Sequence, residues 1–314
     1  MGKKENKGKK NTKNNISEVS YRLELHAEAK IKDLLKDENL KRFEASGVQY
    51  KDGYFYVVLD NMPHPVRIRR DMHTAATTLI EVSGGKGSGY EDITYSALEK
   101  RWYCLIEADK TKNGELKPRV DAYNEKFEFI ESFWLDFKLE TDNKGMEGFS
   151  HFRYKGKDFI LGLCEGNACK SGKKGRKPGK GRIQLFERTS DVWAHTGTIK
   201  LPKSVQFEDY SSLDLRNRYV TVLSQETSAV WVGRVRKNPL SLDDLWEDDG
   251  DIYFFPRDEK GKIMFCNLEG ITWLEKGIFA VVSDKAKAGK QPKRCKCKDQ
   301  SIHIFKLHKS SQKH

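Results

Sequence analysis

Apolar positions in this chain come in short runs that recur as a set, the pattern of repeated strands rather than of one long helical period. The set opens with an acid, a small or acidic residue and then alternating apolar positions. It reads E-D-I-T-Y at 91–95, E-G-F-S-H at 147–151, E-D-Y-S-S at 208–212 and E-G-I-T-W at 269–273. A first copy, S-G-V-Q-Y at 46–50, carries Ser in place of Glu. Successive copies lie 45, 56, 61 and 61 residues apart. Each leads through a short turn into a strongly apolar run: YFYVVL (54–59), RWYCLI (101–106), FILGL (159–163), YVTVL (219–223) and IFAVV (278–282). Those runs finish at or near Asp60, Glu107 with Asp109, Glu165, Glu226 and Asp284.

A third strand is expected in every unit, at 66–70, 119–123, 182–187, 230–235 and 302–307, with clear alternation in RIQLFER and SIHIFKL. A fourth closes four units, at 77–82, 127–137, 192–201 and 251–256. The fifth unit has only a polar tail after Leu307, but a spare strand, VSYRLELH, stands at 19–26. Pairing it with the last unit removes the open sheet edge. The expected fold is therefore all-β: a five-bladed β-propeller closed by the N-terminal strand, with one short rim helix in 29–43 and a helical turn at 240–246. Its bounds are a basic tail at 1–18, the propeller at 19–308 and a C-terminal tail at 309–314. A two-sheet sandwich fits the regular units less well. A sixth blade would have to come from 29–43, which reads as helical.

Charge sharpens this picture. The 314 residues carry a net +12. Residues 1–13 hold a net +5, and 170–182 (KSGKKGRKPGKGR) and 285–298 (KAKAGKQPKRCKCK) hold +7 each, so the remainder is net −7. An acidic body with its basicity in one tail and two loops differs from a broad basic nucleic-acid face. The loops read as mobile appendages. No apolar stretch reaches membrane-spanning length, and the first residues lack the apolar core of a secretory signal. A cytoplasmic protein is expected, not a secreted one, with a nuclear location as the alternative if the chain is eukaryotic. Cys104, Cys164, Cys169, Cys266, Cys295 and Cys297 are then expected as thiols.

The E-G-[IV]-[TS]-[WY] opening and the apolar strand ending in Ser-Asp or Glu resemble the repeat of the esterase-like phytase propellers and related uncharacterised bacterial propellers. The likeness is most specific in EDYSSLD…VLSQETSAVWVG and NLEGITWL…VVSDK. The ring is also similar to that of the soluble calcium-activated nucleotidases, the apyrases, which hold a central calcium through Glu and Ser residues of the innermost strands. That resemblance implies Ser46, Glu91, Glu147, Glu208 and Glu269 as metal ligands. The apyrase segments outside the ring have no obvious copy here, so the activity is not implied with it.

The residues support a similar reading on their own. One equivalent side chain per blade would bring four carboxylates and a hydroxyl to one axis, where like charges need compensation. Calcium, or a similar divalent cation, takes six to eight oxygens at flexible geometry and suits that set. Two alternatives stand beside it: each Glu locks blade packing by accepting backbone N–H groups, or the ring is misregistered.

Chain direction puts the motif, the second-strand exits and the loops that follow on one face. Asp60, Asp109, Glu165, Glu226 and Asp284 are expected around the channel mouth, with Lys173, Lys174, Arg176, Lys293 and Arg294 above it as anion-binding groups; the alternative is that these lysine-rich loops only keep the protein soluble or are targeting signals. The opposite face is expected to be plainer. A metal-centred propeller that binds, and in an enzymatic version hydrolyses, a phosphate-bearing anionic small molecule follows from this arrangement. The alternative is a non-catalytic module docking a protein, or nucleic acid through the basic tail and loops. In both readings the protein is a monomer without a membrane partner. Zinc fits the cysteine spacing poorly. His151 reads as a packed or hydrogen-bonded histidine, with a general acid or base as the alternative, the acidic stretch 243–251 as a solvated loop, with a calcium loop as the alternative, and SGGKGSG at 83–89 as a linker.

Overall fold

The computed structural model describes residues 21–36, 40, 42–85, 89–141, 144–285 and 292–308. The two expected tails, 1–18 and 309–314, lie outside them, as do Val19 and Ser20 of the closing strand.

The chain opens with β1 (Tyr21–Lys30) and the short α1 (Ile31–Leu35). Blade one is β2 (Ala45–Lys51), β3 (Tyr54–Leu59), β4 (Met62–Arg69) and β5 (Thr78–Leu79). Blade two is β6 (Asp92–Ser96), β7 (Arg101–Lys110), β8 (Leu116–Asn124) and β9 (Phe129–Trp134). Blade three is β10 (Met146–Tyr154), β11 (Lys157–Cys164), β12 (Arg182–Arg188) and β13 (Trp193–Lys200), with α2 (Gly172–Gly175) between its second and third strands. Blade four is β14 (Ser212–Arg216), β15 (Tyr219–Ser224), β16 (Ala229–Arg234) and β17 (Asp251–Phe254). Blade five is β18 (Leu268–Glu275), β19 (Ile278–Ser283) and β20 (Ser301–His308), completed by β1.

Every blade is an antiparallel meander. Two-residue turns serve the tightest hairpins, such as Asp52–Gly53 between β2 and β3, where both residues have positive φ (50° and 84°). The expected five-bladed propeller is the observed architecture. β1 runs antiparallel to β20, from Leu23 opposite Leu307 to Lys30 opposite Ser301. Its start also pairs in parallel with β17, at Tyr21–Tyr253 and Arg22–Phe254, which ties blades four and five into one eight-stranded sheet. The rim helix is shorter than the 29–43 pattern allowed. It ends at Leu35 because Lys36 adopts the left-handed conformation, with its N–H bonded back to the Lys32 carbonyl. Ile31 and Leu34 are the residues it buries. The helical turn expected at 240–246 is a 3₁₀ turn, Leu242–Asp244.

The core is five separate apolar layers, one between each pair of neighbouring blades. The second strands therefore face apolar neighbours on both sides, which is why their sequences are continuous apolar runs.

Around the axis the innermost strands come unusually close. A Cβ added to Gly47 would stand 2.5 Å from the Asp92 Cα, one on Gly148 2.7 Å from the Ser212 Cα, and one on Gly270 2.8 Å from the Gly47 Cα. Each innermost strand has an edge without a strand partner, and in blades one, three, four and five side chains of the preceding blade satisfy backbone groups on it. The Phe149 and His151 N–H groups donate to Asp92 Oδ2 (3.0 Å) and Thr94 Oγ1 (3.2 Å). Leu215 N–H donates to Ser150 Oγ (3.3 Å). Ile271 and Trp273 N–H donate to Ser212 Oγ (3.2 Å) and Asp214 Oδ2 (2.8 Å), and Tyr50 N–H to Thr272 Oγ1 (3.1 Å). Burial pushes the Asp92 and Asp214 carboxyls up, against the pull of these donors.

Two of the expected thiol pairs are disulfides instead: Cys164–Cys169 and Cys266–Cys295. The chain returns after each strand exit and brings the Cα atoms to 5.2 and 5.7 Å, separations sequence spacing does not reveal. Cys104 is a buried thiol and Cys297 an exposed one. No described helix is long and apolar enough to cross a membrane.

Closure of the ring is testable at both ends of β1. Deleting residues 1–26 removes the half of β1 that pairs with 305–308 and leaves the β20 edge open, so the shortened protein should aggregate and melt lower. Deleting residues 1–15 should leave the melting temperature unchanged. At the other end, Glu28 accepts from Lys298 Nζ and lies 3.1 Å from His303 Nδ1. The hydrogen bond to His303, with help from Lys298, holds the Glu28 carboxyl down at about 2. A depressed carboxyl stabilises the fold above its unfolded value of about 4.5 and loses that contribution as the pH falls towards 2. Because Glu28 is one-third exposed, Glu28→Gln should cost only about 1 kcal/mol at pH 7. The difference from wild type should vanish in acid, as read by denaturant unfolding across that pH window.

Candidate metal centre at the channel mouth

Strand register decides which side chains are equivalent. Gly47 pairs with Val58, Asp92 with Leu105, Gly148 with Leu163, Ser212 with Leu223 and Gly270 with Val282. The residue before each forms the first ring: Ser46, Glu91, Glu147, Ser211 and Glu269. Glu208, expected in this ring, is not in register; it is exposed and lies three residues upstream of Ser211. The clue was the position after the ring residue, which must be small where the strands nearly touch. Gly47, Asp92, Gly148, Ser212 and Gly270 occupy it, so S-S-L at 211–213 is the fourth copy rather than E-D-Y.

The same register places Asp60, Glu107, Glu165, Gln225 and Asp284 two residues beyond the paired position of each second strand. Two expected mouth acids are thereby displaced. Asp109 is farther along the β7–β8 hairpin, where its carboxylate meets Arg119 at 2.5 Å, and Glu107 takes the equivalent position. Glu226 is exposed, one residue past Gln225. Asp209, not singled out from sequence, is buried nearby and accepts from Ser224 Oγ (2.6 Å) and Glu226 N–H (3.2 Å).

These groups make a strongly acidic channel. Among the described residues the carboxylates of Glu91, Glu147 and Glu269 accept no hydrogen bond from the protein, so blade locking falls to Asp92, Asp214 and their neighbours instead. Ser46 Oγ donates to the Tyr90 carbonyl, and Ser211 Oγ to the Leu268 carbonyl (2.6 Å). Burial, then the charges of Asp60, Glu107, Glu269 and Glu165, pushes Glu91 well up. Glu147 rises likewise through burial and then Glu91, Glu165 and Glu107. Burial, then Asp284, raises Glu269 to about 8. Burial raises Asp284 to about 7 and Asp209 to about 6.

Three carboxylates converge most closely. Oxygens of Glu107, Glu147 and Glu165 lie within 4.8 Å of one another. Glu107 Oε1 accepts from the Lys144 and Gly145 N–H groups at 2.7 and 2.6 Å. Glu165 is 5% exposed; one of its oxygens takes Lys144 Nζ, and the other, Oε2, is buried without a partner. Two oxygens bound to one calcium at 2.3–2.6 Å stand no more than about 5 Å apart, so this trio fits a hard cation.

A cavity of about 170 Å³ adjoins the trio, lined by Glu165, Lys144, Lys170, Arg176, Glu208 and Asp209 among others. Its basic wall is the 170–181 loop, which is pinned rather than free. Fully buried Asn167 donates to the Gly175, Phe207 and Glu208 carbonyls (3.1, 3.0 and 3.2 Å). It accepts from Lys180 N–H (2.9 Å) and Tyr210 OH (3.0 Å), and Cys164–Cys169 closes the loop's base. Of the expected anion-binding residues, Arg176 lines this cavity. Lys173 and Lys174 are exposed on α2, away from its lining. Lys293 and Arg294 are exposed on another turn, where Arg294 Nε donates to the Ile263 carbonyl (2.8 Å). Residues 286–291 of that second loop lie outside the described residues. His151 is packed as expected, with Nε2 3.1 Å from Asp158 and its ring against Tyr103 and Trp193. The carboxylates of Asp243 and Asp244 form exposed ion pairs with Lys200 and Arg236.

No family model and no curated protein sequence matches this chain. Among solved structures it is similar to a glutaminyl cyclase from Myxococcus xanthus, at 12% identity and a TM-score of 0.51, covering 92% of this chain and 97% of that one. A GH43_1 enzyme from Xanthomonas citri complexed with xylose follows at 9% identity and a TM-score of 0.49, covering 90% of each chain. A PQQ-bound aldose sugar dehydrogenase from Streptomyces coelicolor has 11% identity and a TM-score of 0.46, covering 92% of this chain and 99% of that one. At 12% identity the likeness to the cyclase extends to the fold alone.

Proposed function

We propose that this protein is a metal-centred propeller that binds a phosphate-bearing anionic ligand at the acidic end of its channel. The observation that carries this reading is the convergence of Glu107, Glu147 and Glu165 beside a cavity walled by Lys144, Lys170 and Arg176. An all-oxygen, carboxylate-rich donor set favours calcium or a similar hard divalent cation. The orphaned Glu165 Oε2 and the single compensating ammonium of Lys144 leave negative charge to be neutralised. A cation held there supplies positive charge for phosphate oxygens. Lys170 and Arg176 would draw the anion in and hold its outer oxygens. The likeness of the repeat to phytase-like and apyrase propellers points the same way.

Calcium should raise the melting temperature of the purified, chelator-treated protein, since a ligand that binds only the folded state stabilises it. Glu107→Gln with Glu165→Gln should abolish that rise while the protein remains folded. Pyrophosphate should bind in calcium and lose affinity about tenfold in Lys170→Glu with Arg176→Glu, with a smaller loss at high salt. Release of inorganic phosphate from a panel of phosphoesters would extend the reading to hydrolysis. Salt-sensitive RNA binding that ignores calcium would favour the docking module instead.

The channel acids also set a pH dependence. A carboxyl raised in the folded state stabilises the fold below its unfolded value and loses that contribution as the pH rises to its folded value. For Glu269 the window runs from about 4.5 to about 8. In chelator the protein should therefore lose stability across that window. Glu269→Gln should flatten the decline and gain roughly 1 kcal/mol, or about 2–4 °C, at the alkaline end. A decline equally steep in the variant would remove Glu269 from the repelling set.

A further inference from the structure

The end of the propeller opposite the acidic mouth, expected to be plainer, contains an apolar cavity of about 410 Å³ between blades three and four. Its mouth is formed by the β10–β11 and β14–β15 hairpins and the connection between β16 and β17, at the strand ends remote from Glu147 and Glu165, and its floor by β11, β12 and β13 side chains between the blades. Phe152, Leu161, Leu185, Leu215, Val235 and Trp246 contribute the apolar surface. The connection forms a fixed wall: Trp246 Nε1 donates to the Lys200 carbonyl (2.8 Å), and its ring meets Trp231 edge-on with centroids 4.8 Å apart. The volume falls within the range of about 300–1,000 Å³ typical of small-molecule sites, which combine apolar walls with a few orienting polar groups.

The polar groups in this lining are of one sign. Arg153, Arg218, Arg236 and Lys237 line the cavity, and none of its lining residues is acidic. Three of the four cations have counter-ions outside the cavity: Asp158 for Arg153 (3.2 Å), Asp244 for Arg236 (3.1 Å) and Glu247 for Arg218. Lys237 is exposed and has no acidic partner among the described residues. An apolar slot with one uncommitted ammonium at its rim suits a ligand with the complementary division.

We propose that this cavity binds an amphipathic organic anion, with a hydrocarbon or aromatic body between the blades and a single carboxylate or sulfonate at Lys237. The site is separate from the metal reading and does not depend on it. Octanoate is the probe, with octanol as its uncharged counterpart, each titrated calorimetrically into the full chain. Octanoate should bind at one site and more tightly than octanol. Lys237→Glu, an exposed change that leaves the fold intact, should weaken octanoate about fivefold and leave octanol unchanged. Leu185→Trp, which fills the slot, should weaken both roughly tenfold. The proposal fails if octanoate does not bind, if octanol binds equally well, or if Lys237→Glu has no effect. Self-association abolished by Leu185→Trp, without octanoate binding, would assign the cavity to a second copy of the chain. Calcium should alter neither affinity, so failure here is distinguishable from failure at the acidic mouth.

Discussion

The close approach of five innermost strands around one axis constrains the rest of this structure. At Gly47, Gly148 and Gly270 there is no room for a Cβ beside the neighbouring strand. Strands this close can pack only if their free edges find partners, and Asp92, Ser150, Asp214 and Thr272 provide them from blade to blade. Backbone satisfaction and steric fit are thus the same requirement, and it sets the strand register. The register in turn determines which residues face the channel one step above the belt. Closure by β1 matters for the same reason, because blade five is otherwise left with an exposed edge at β20.

A ring of acids directly above such a belt cannot spread apart to relieve its charge. Among the described residues Glu91, Glu147 and Glu269 have no hydrogen-bond donor, and burial together with neighbouring carboxylates raises all three. The fold tolerates this repulsion at a place where it also contains Lys144, a cation contacting Glu165. Unfavourable charge concentrated on a rigid frame is the feature on which the proposed cation site rests. The arrangement differs from the belt below, where Asp92 and Asp214 each accept backbone N–H groups and have a structural explanation.

Much of the architecture was legible because a propeller repeats its physics. Each second strand lies between two apolar layers, so IFAVV and YVTVL announce themselves, and RIQLFER shows the alternation of a strand nearer the rim. The site was only partly legible, because a motif specifies residue types and not register. E-D-Y at 208–210 imitates the acidic opening, yet the small residue demanded by the belt is Ser212, and Ser211 takes the ring position. At the mouth, Asp109 and Glu226 were the acids expected, whereas strand pairing places Glu107, the first acid after RWYCLI, and Gln225 there. Lys144, Asp209 and Asn167 were missed for a different reason. Their roles depend on loops from separate blades meeting in space, and nothing in local sequence states that Asn167 will anchor a lysine-rich loop against Phe207 and Glu208.

That anchoring changes what the basic loop can do. A free lysine-rich segment attracts anions in general, and salt screens the attraction over about 8–10 Å. A segment clamped by the Cys164–Cys169 disulfide and by Asn167 holds Lys170 and Arg176 at a set place beside Glu165. Glu165 follows Cys164 directly, so the strand that supplies the carboxylate also begins the loop that supplies the cations. Acid and base are thereby held on one short covalent path, with less conformational freedom to lose on binding than two independent loops would have. The opposite end follows a different rule: its cations rim an apolar slot instead of an acidic one. One strand framework thus presents two chemically distinct surfaces, because strand direction sends second-strand exits to one face and hairpin turns to the other.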